Sequence, residues 1–217
     1  MRAQDYTPFG VEERAALWLE NIRGAVPPRN HLQLQPDRCA LLVVDMNRYF
    51  IEPGGRAFLP AAPRIVPNVQ RLLHRWRDTG RSVVFTRHGH GNDGDGNMLQ
   101  RFFGGVISND SEEADIVDAL VPRPGEPVIA KDTYDAFFRT DLEAHLRHRG
   151  ATQVLIAGVL THMCCETTAR SAFCRGFEVY LPVDAMASTT EERHVQSLLS
   201  LSTCVAVPLS TAEVLAT

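Results

Sequence analysis

Asp45, Lys131 and Cys164 bring an acid, a cation and a thiol into one chain, far apart in sequence, each just beyond a short apolar run. Runs of this length and composition read as buried strands. In an open parallel sheet the carboxyl ends of neighbouring strands converge on one crevice, so the three residues can become neighbours there. Together they could perform nucleophilic hydrolysis. The thiol would attack a carbonyl, Asp45 would take its proton and return it to the leaving group, and Lys131 would hold Asp45 ionised and offset the charge that develops. A thiol of ordinary pKa, about 8.5, is mostly neutral at pH 7. Cys164 stands where a helix over 164–175 should begin, and exposed N–H groups at a helix start favour the thiolate.

The elements needed to position these residues are legible as alternating patterns. Strands are expected over 40–44, 82–86, 128–130, 154–157, 179–183 and 204–209. Helical spacing marks 65–77, 142–148, 164–175 and 191–202, with Ile65, Val69, Leu72, Leu73 and Trp76 on one face of the first. Alternation of this kind implies βαβ units, right-handed crossovers and a mainly parallel sheet covered on both faces, so the fold class is α/β. A dinucleotide fingerprint is absent: the first strand runs into DMNRYF rather than G-x-G-x-x-G. No NAD is expected. Residues 1–37 fit the alternation poorly. Within them a helix over 12–23, with Leu17 and Ile22 inward and Pro27-Pro28 beyond its end, predicts an arm packed on the 38–217 domain or on a neighbouring subunit.

Three segments carry a family resemblance: CALLVVDMNRYF (39–50), VIAKDTYDAFFRTDL (128–142) and VLIAGVLTHMCCETTARSAF (154–173). In this order they resemble the isochorismatase-like hydrolases, whose members carry an Asp after the first strand, a Lys in K-x-x-Y-x-A-F, and G-x-x-T-x-x-C opening a helix. The resemblance covers roughly 38–210. It implies a three-layer, six-stranded Rossmann-like sandwich, Asp45, Lys131 and Cys164 as catalytic triad, a cis peptide before the threonine (Leu160-Thr161), and a homo-oligomer. A tetrahedral intermediate needs oxyanion donors, and the backbone N–H groups of Thr161 and Cys164 are the candidates. True isochorismatases cleave a vinyl ether without a cysteine nucleophile and carry Gly where this chain has Cys164. The stretch Gly158 to His162 echoes their G-V-Y-A-H, whereas Cys164 and Thr161 resemble the amidohydrolase branch. Hydrolysis of a C–N bond through a thioester is therefore expected. Vinyl-ether hydrolysis with Asp45 as acid, a catalytically silent binding subunit, and a thiol sensor are the alternatives.

Other pocket residues are expected from the same strand ends and the loops after them: Asn47, Tyr49 and Phe50 after Asp45, Arg87 and His88 after the second strand, Tyr134 and Phe138 after Lys131, and Leu160 and His162 before the nucleophile. Aromatic walls with a few polar groups suit a small molecule. Cys165, being adjacent to Cys164, faces about 100° away around a helix. With Cys174 and Cys204 it reads as core packing. The loop His88–Asn97 invites a metal, but positions six and twelve of an EF-hand frame fall on Met98 and Gly104, and His88-Gly89-His90 is not the Asp-x-His pair of metal-bearing nicotinamidases. Neither metal nor organic cofactor is expected.

The remaining bounds come from composition. The chain has 217 residues, 44% hydrophobic and 22% charged, which suits one globular domain with a sizeable core. A formal net charge of -4 offers no global attraction to nucleic acid or to an anionic membrane. Five cysteines without C-x-x-C spacing predict free thiols. With no secretory pattern in MRAQDYTPFG and no apolar run of membrane-spanning length, a soluble cytoplasmic protein is expected. The apolar stretch 169–173 suggests contact between subunits.

Overall fold

The computed structural model describes residues 3–7, 10–91, 97–105 and 107–217. In chain order the elements are α1 (Val11–Ala25), β1 (Cys39–Val44), α2 (Arg48–Ile51), α3 (Ala62–Asp78), β2 (Val83–His88), α4 (Met98–Phe103), β3 (Val128–Lys131) and α5 (Leu142–His148). After these come β4 (Gln153–Val159), a π-turn (Thr161–Cys165), α6 (Glu166–Cys174), β5 (Glu178–Pro182), β6 (Met186–Ala187), α7 (Glu191–Cys204), β7 (Ala206–Leu209) and α8 (Thr211–Leu215).

Every strand pairing is parallel, in the order β3-β2-β1-β4-β5-β7. The expected six strands gain a two-residue seventh: β5 pairs with the start of β4, and β6 takes its place opposite Gly158 and Val159. β1 along its whole length and β4 beyond Gln153 are apolar because helices cover both faces, and Leu41, Leu42, Val43 and Val44 are completely buried. The α3 helix supplies Ile65, Val69, Leu72, Leu73 and Trp76 to that core, and the Trp76 indole donates to the Cys39 carbonyl at 2.9 Å.

The chain order reverses between β1 and β4, which opens the crevice at their carboxyl ends. Gly158 allows the two strands to close there. Its φ is +118°, and a Cβ built on it would lie 2.1 Å from the Val44 carbonyl oxygen, so only glycine fits.

Several expectations need correction. In α1 the inward residues are Val11, Ala15, Trp18, Leu19 and Ile22, whereas Leu17 is 55% exposed. The helical period, once anchored by Trp18 and Ile22, turns Leu17 outward. Cys165 is buried, but Cys174 and Cys204, each the last residue of a helix, are exposed. Cys204 begins no strand; it ends α7, and β7 starts at Ala206. Of the apolar residues in 169–173, Ala169 and Ala172 lie inside the core and Phe173 faces out. Among the described residues no helix is long and apolar enough to cross a membrane.

Candidate active site

Asp45 follows β1 directly and adopts φ 49°, a left-handed conformation uncommon outside glycine, asparagine and aspartate. That turn sends its carboxylate sideways toward β2. There the Thr86 hydroxyl donates to Asp45 Oδ1 at 2.5 Å and accepts the Asp45 N–H at 3.1 Å. Lys131 ends β3, in register with His88, and its chain reaches across β2 to the crevice. Its ammonium lies 2.6 Å from Asp45 Oδ2, donates to Cys164 Sγ at 3.3 Å and to the Thr133 carbonyl at 2.9 Å. The contact with Oδ2 is too oblique for a directed hydrogen bond, so it acts as a close ion pair. The Cys164 thiol lies close enough to the Asp45 carboxylate to help lower its pKa.

Burial shapes the charge states. It would raise the Asp45 carboxyl, but the Lys131 ammonium outweighs it and holds Asp45 below the usual carboxylate range. Burial would lower Lys131, but the Asp45 carboxylate and then Cys164 keep it raised and protonated. The Cys164 thiol is pushed up to about 12, first by burial, against which Lys131 works, while the neighbouring carboxylate disfavours a second anion. The expected resting thiolate is therefore corrected to a neutral thiol. Cys164 sits inside a π-turn, 4% exposed, rather than at an open helix start. What the arrangement offers is a neutral thiol beside a carboxylate, with an ammonium already placed against the sulfur.

The π-turn is held from outside. Leu160 O accepts the N–H groups of Met163 and Cys165, and neither bond engages the N–H of Cys164. The Thr161 side chain meets His194 Nδ1 at 2.8 Å, and Ser197 donates to the Thr161 carbonyl at 3.2 Å. Because His194 Nε2 faces the Val183 carbonyl at 3.1 Å, Nε2 carries the proton and Nδ1 accepts from the Thr161 hydroxyl. Burial depresses the His194 pKa to about 3, which keeps the ring neutral and able to accept. Trp18 of α1 packs edge-on over His194, ring centroids 4.6 Å apart. The cis peptide lies at Val159-Leu160, one bond earlier than the expected Leu160-Thr161.

A cavity of about 610 Å³ opens onto Cys164. Of the expected pocket residues Tyr49, Phe50, His88, Tyr134, Leu160 and His162 line it. Asn47, Arg87 and Phe138 do not. Asn47 is completely buried and ties β1 to the Ala114 and His88 carbonyls. Arg87 turns to the far face of β2, where it binds the Ala114 and Asn109 carbonyls and Asp115. Phe138 is 49% exposed beneath Arg139.

Residues that sequence reasoning missed include Thr86, His194, Ser197 and two on the cavity wall, Arg56 and Arg193. Thr86 carried a usable signal, because strand alternation puts it on the same face as His88 and opposite Arg87. Positions 92–96 of the His88–Asn97 loop lie outside the described residues. Among those described, no group of three or more His, Cys, Asp or Glu could hold a metal.

The isochorismatase domain model matches residues 39–213. Nicotinamidase 3 of Arabidopsis thaliana is 36% identical over 167 residues, 75% of this chain and 80% of that protein. The phenazine biosynthesis protein PhzD of Pseudomonas fluorescens is 32% identical over 184 residues, 83% of this chain and 86% of that protein. Among solved structures, a cysteine hydrolase from Pseudomonas syringae pv. phaseolicola 1448A superposes with a TM-score of 0.80 at 27% identity, covering 85% of this chain and 94% of that one. N-carbamoylsarcosine amidase from Thermoplasma acidophilum gives 0.72 at 26% identity, covering 80% and 96%.

Proposed function

Because the chain belongs to the isochorismatase family of hydrolases, we propose that it is the cysteine-dependent kind, cleaving the C–N bond of a small amide, carbamoyl compound or imide through a thioester on Cys164. The observation that carries this reading is the Lys131 ammonium set between Asp45, at 2.6 Å, and Cys164 Sγ, at 3.3 Å, on the edge of the cavity.

As the sulfur attacks the carbonyl carbon, its proton passes to Asp45 and Lys131 stabilises the sulfur's departing negative charge. The carbonyl oxygen becomes an oxyanion held by the backbone N–H groups of Thr161 and Cys164. Collapse breaks the C–N bond, and Asp45 returns the proton to the leaving ammonia or amine. Asp45 then deprotonates a water that attacks the thioester, releasing the acid and restoring the thiol. No organic cofactor enters this cycle.

His88 supports substrate contact in the same pocket. It lines the cavity, and its Nδ1 has no hydrogen-bond partner among the described residues. Burial lowers its pKa to about 4, so it would meet the substrate as a neutral donor or acceptor. Vinyl-ether cleavage would instead need Asp45 as a proton donor. A carboxyl held below its usual range is ionised at neutral pH and poorly suited to that task.

The test is turnover of a mixed panel of small amides, carbamoyl compounds, imides and isochorismate by wild type and Cys164→Ala. Amide-type cleavage lost in the variant supports the proposal. Cleavage of the vinyl ether that survives in the variant contradicts it.

A further inference from the structure

No aspartate or glutamate lines the cavity among the described residues, yet two guanidinium groups do, Arg56 and Arg193. Their surroundings differ. Arg56 faces Glu113 at 3.2 Å and stacks over Tyr49, so its charge is already balanced. Among the described residues Arg193 has no carboxylate partner, and its one side-chain hydrogen bond there runs from its guanidinium to the Thr189 hydroxyl at 3.0 Å. A guanidinium carries five N–H donors in a planar fork that matches a carboxylate.

The position of Arg193 is fixed from both sides. Its backbone N–H is bound by the Thr190 hydroxyl at the start of α7, and its side chain reaches the wall shared with His162 and Cys164. It lies close enough to His162 for its charge, after burial, to help lower that histidine's pKa. His162 is itself oriented by Ser188, 2.6 Å from Nδ1. Behind Cys164 the Asp45 and Lys131 charges cancel. Among the described residues an unbalanced positive charge therefore remains on the Arg193 side of the cavity, and much of the remaining lining is apolar, with Phe50, Phe58, Leu99 and Ile107.

We infer that the substrate is anionic: a small amide or carbamoyl compound bearing a carboxylate, which Arg193 binds while the reacting carbonyl faces Cys164. This rests on the cysteine-hydrolase reading for the reacting end, and adds the chemistry of the other end. The carboxylate stays intact through the cycle; the C–N bond breaks, nitrogen leaves as ammonia or amine, and water supplies the oxygen of the new acid.

The experiment uses matched pairs that differ in the carboxylate: N-carbamoylglycine and its methyl ester, succinamate and butyramide, and 3-carbamoylbenzoate and benzamide. Turnover is measured with wild type, Arg193→Gln and Arg193→Lys, and binding by calorimetry on Cys164→Ala. For at least one pair the carboxylate member should be preferred by about 30-fold in kcat/KM or affinity, the scale of a charged hydrogen-bond pair. Arg193→Gln should remove about that factor from the preference within the pair, mainly through KM for the carboxylate member, while Arg193→Lys keeps part of it. Preference for the neutral members, a carboxylate preference that survives Arg193→Gln, or failure of every carboxylate to bind or react would overturn the inference. Turnover that persists in Cys164→Ala would overturn the cysteine mechanism instead, and leaves the Arg193 comparison readable.

Discussion

Replacing Lys131 by Met removes the cation while roughly keeping the side chain's length. Its side chain is 1% exposed, with the ammonium 2.6 Å from the carboxylate of Asp45, whose side chain is 0% exposed, and 3.3 Å from the sulfur. Removing one partner of a buried pair typically costs about 3–5 kcal/mol, because the other charge is left without compensation. Asp45 can limit that cost by taking up a proton, so the penalty depends on pH. In wild type the Asp45 pKa is lowered, so its stabilising contribution is present above the unfolded carboxyl value of 3.8 and is lost as pH falls through the folded one. In Lys131→Met the folded pKa rises above the unfolded value, and the sign reverses: the variant loses stability as pH rises. The Tm gap between variant and wild type should therefore widen between about pH 5 and pH 8. For catalysis, a thiolate 3.3 Å from an ammonium gains about 5 kcal/mol at an effective dielectric constant of about 20, before solvation losses. Most of that appears only once the proton has left sulfur, so kcat should fall by about a thousandfold, roughly 4 kcal/mol. Calorimetry at the two pH values and steady-state kinetics measure both effects. A kcat within tenfold of wild type (about 1.4 kcal/mol), or a Tm gap that ignores pH, would refute the reasoning.

Three further outcomes follow from the same geometry. With the thiol at about 12 and Asp45 below the usual range, kcat/KM should be flat between about pH 6.5 and 9.5, and an inflection near the ordinary thiol value of about 8.5 would contradict a neutral resting thiol. His194, depressed to about 3, stays neutral in the fold while the unfolded chain takes up a proton below about 6.5; stability is thus lost as pH falls, by roughly 2–3 kcal/mol at pH 4.5. His194→Gln should flatten that slope, and equal slopes in the two proteins would show that the ring does not carry it. Gly158→Ala should cost about 3 kcal/mol or more, read by denaturant unfolding, because the added carbon meets the Val44 carbonyl in a backbone conformation disfavoured for alanine; a change below 1 kcal/mol would mean that β1 and β4 can part there.

How much of this was legible in the sequence differs from residue to residue. Asp45, Lys131 and Cys164 stand beyond strands whose apolar runs are unambiguous, and parallel topology brings strand ends together whatever the loops do. The direction of a side chain is a finer matter. Thr86 and His88 point one way from β2 and Arg87 the other, so a boundary uncertain by one residue exchanges a pocket residue for a surface one. Phe138 precedes Arg139 at φ 57°, a local turn that no periodicity announces. Asn47 reads as a pocket residue at a strand end, yet the turn ending at Ala114 and the bridge at Ile116 close over it and turn its amide into a tie. Cys164 was expected to ionise because the helix-start argument counts local dipoles and omits burial, which here is the larger effect. The clamp on Thr161 escaped notice because His194 lies on a buried helix face, where a lone histidine reads as core.

The most direct measurement is intact-protein mass spectrometry of wild type, Cys164→Ala and Cys165→Ala, quenched with acid during turnover of the amide that the panel identifies. Wild type and Cys165→Ala should gain the mass of the substrate's acyl group, mapped to Cys164 by peptide analysis, and Cys164→Ala should gain nothing and turn nothing over. Turnover without Cys164, or an acyl group carried by Cys165, would contradict catalysis through a thioester on Cys164.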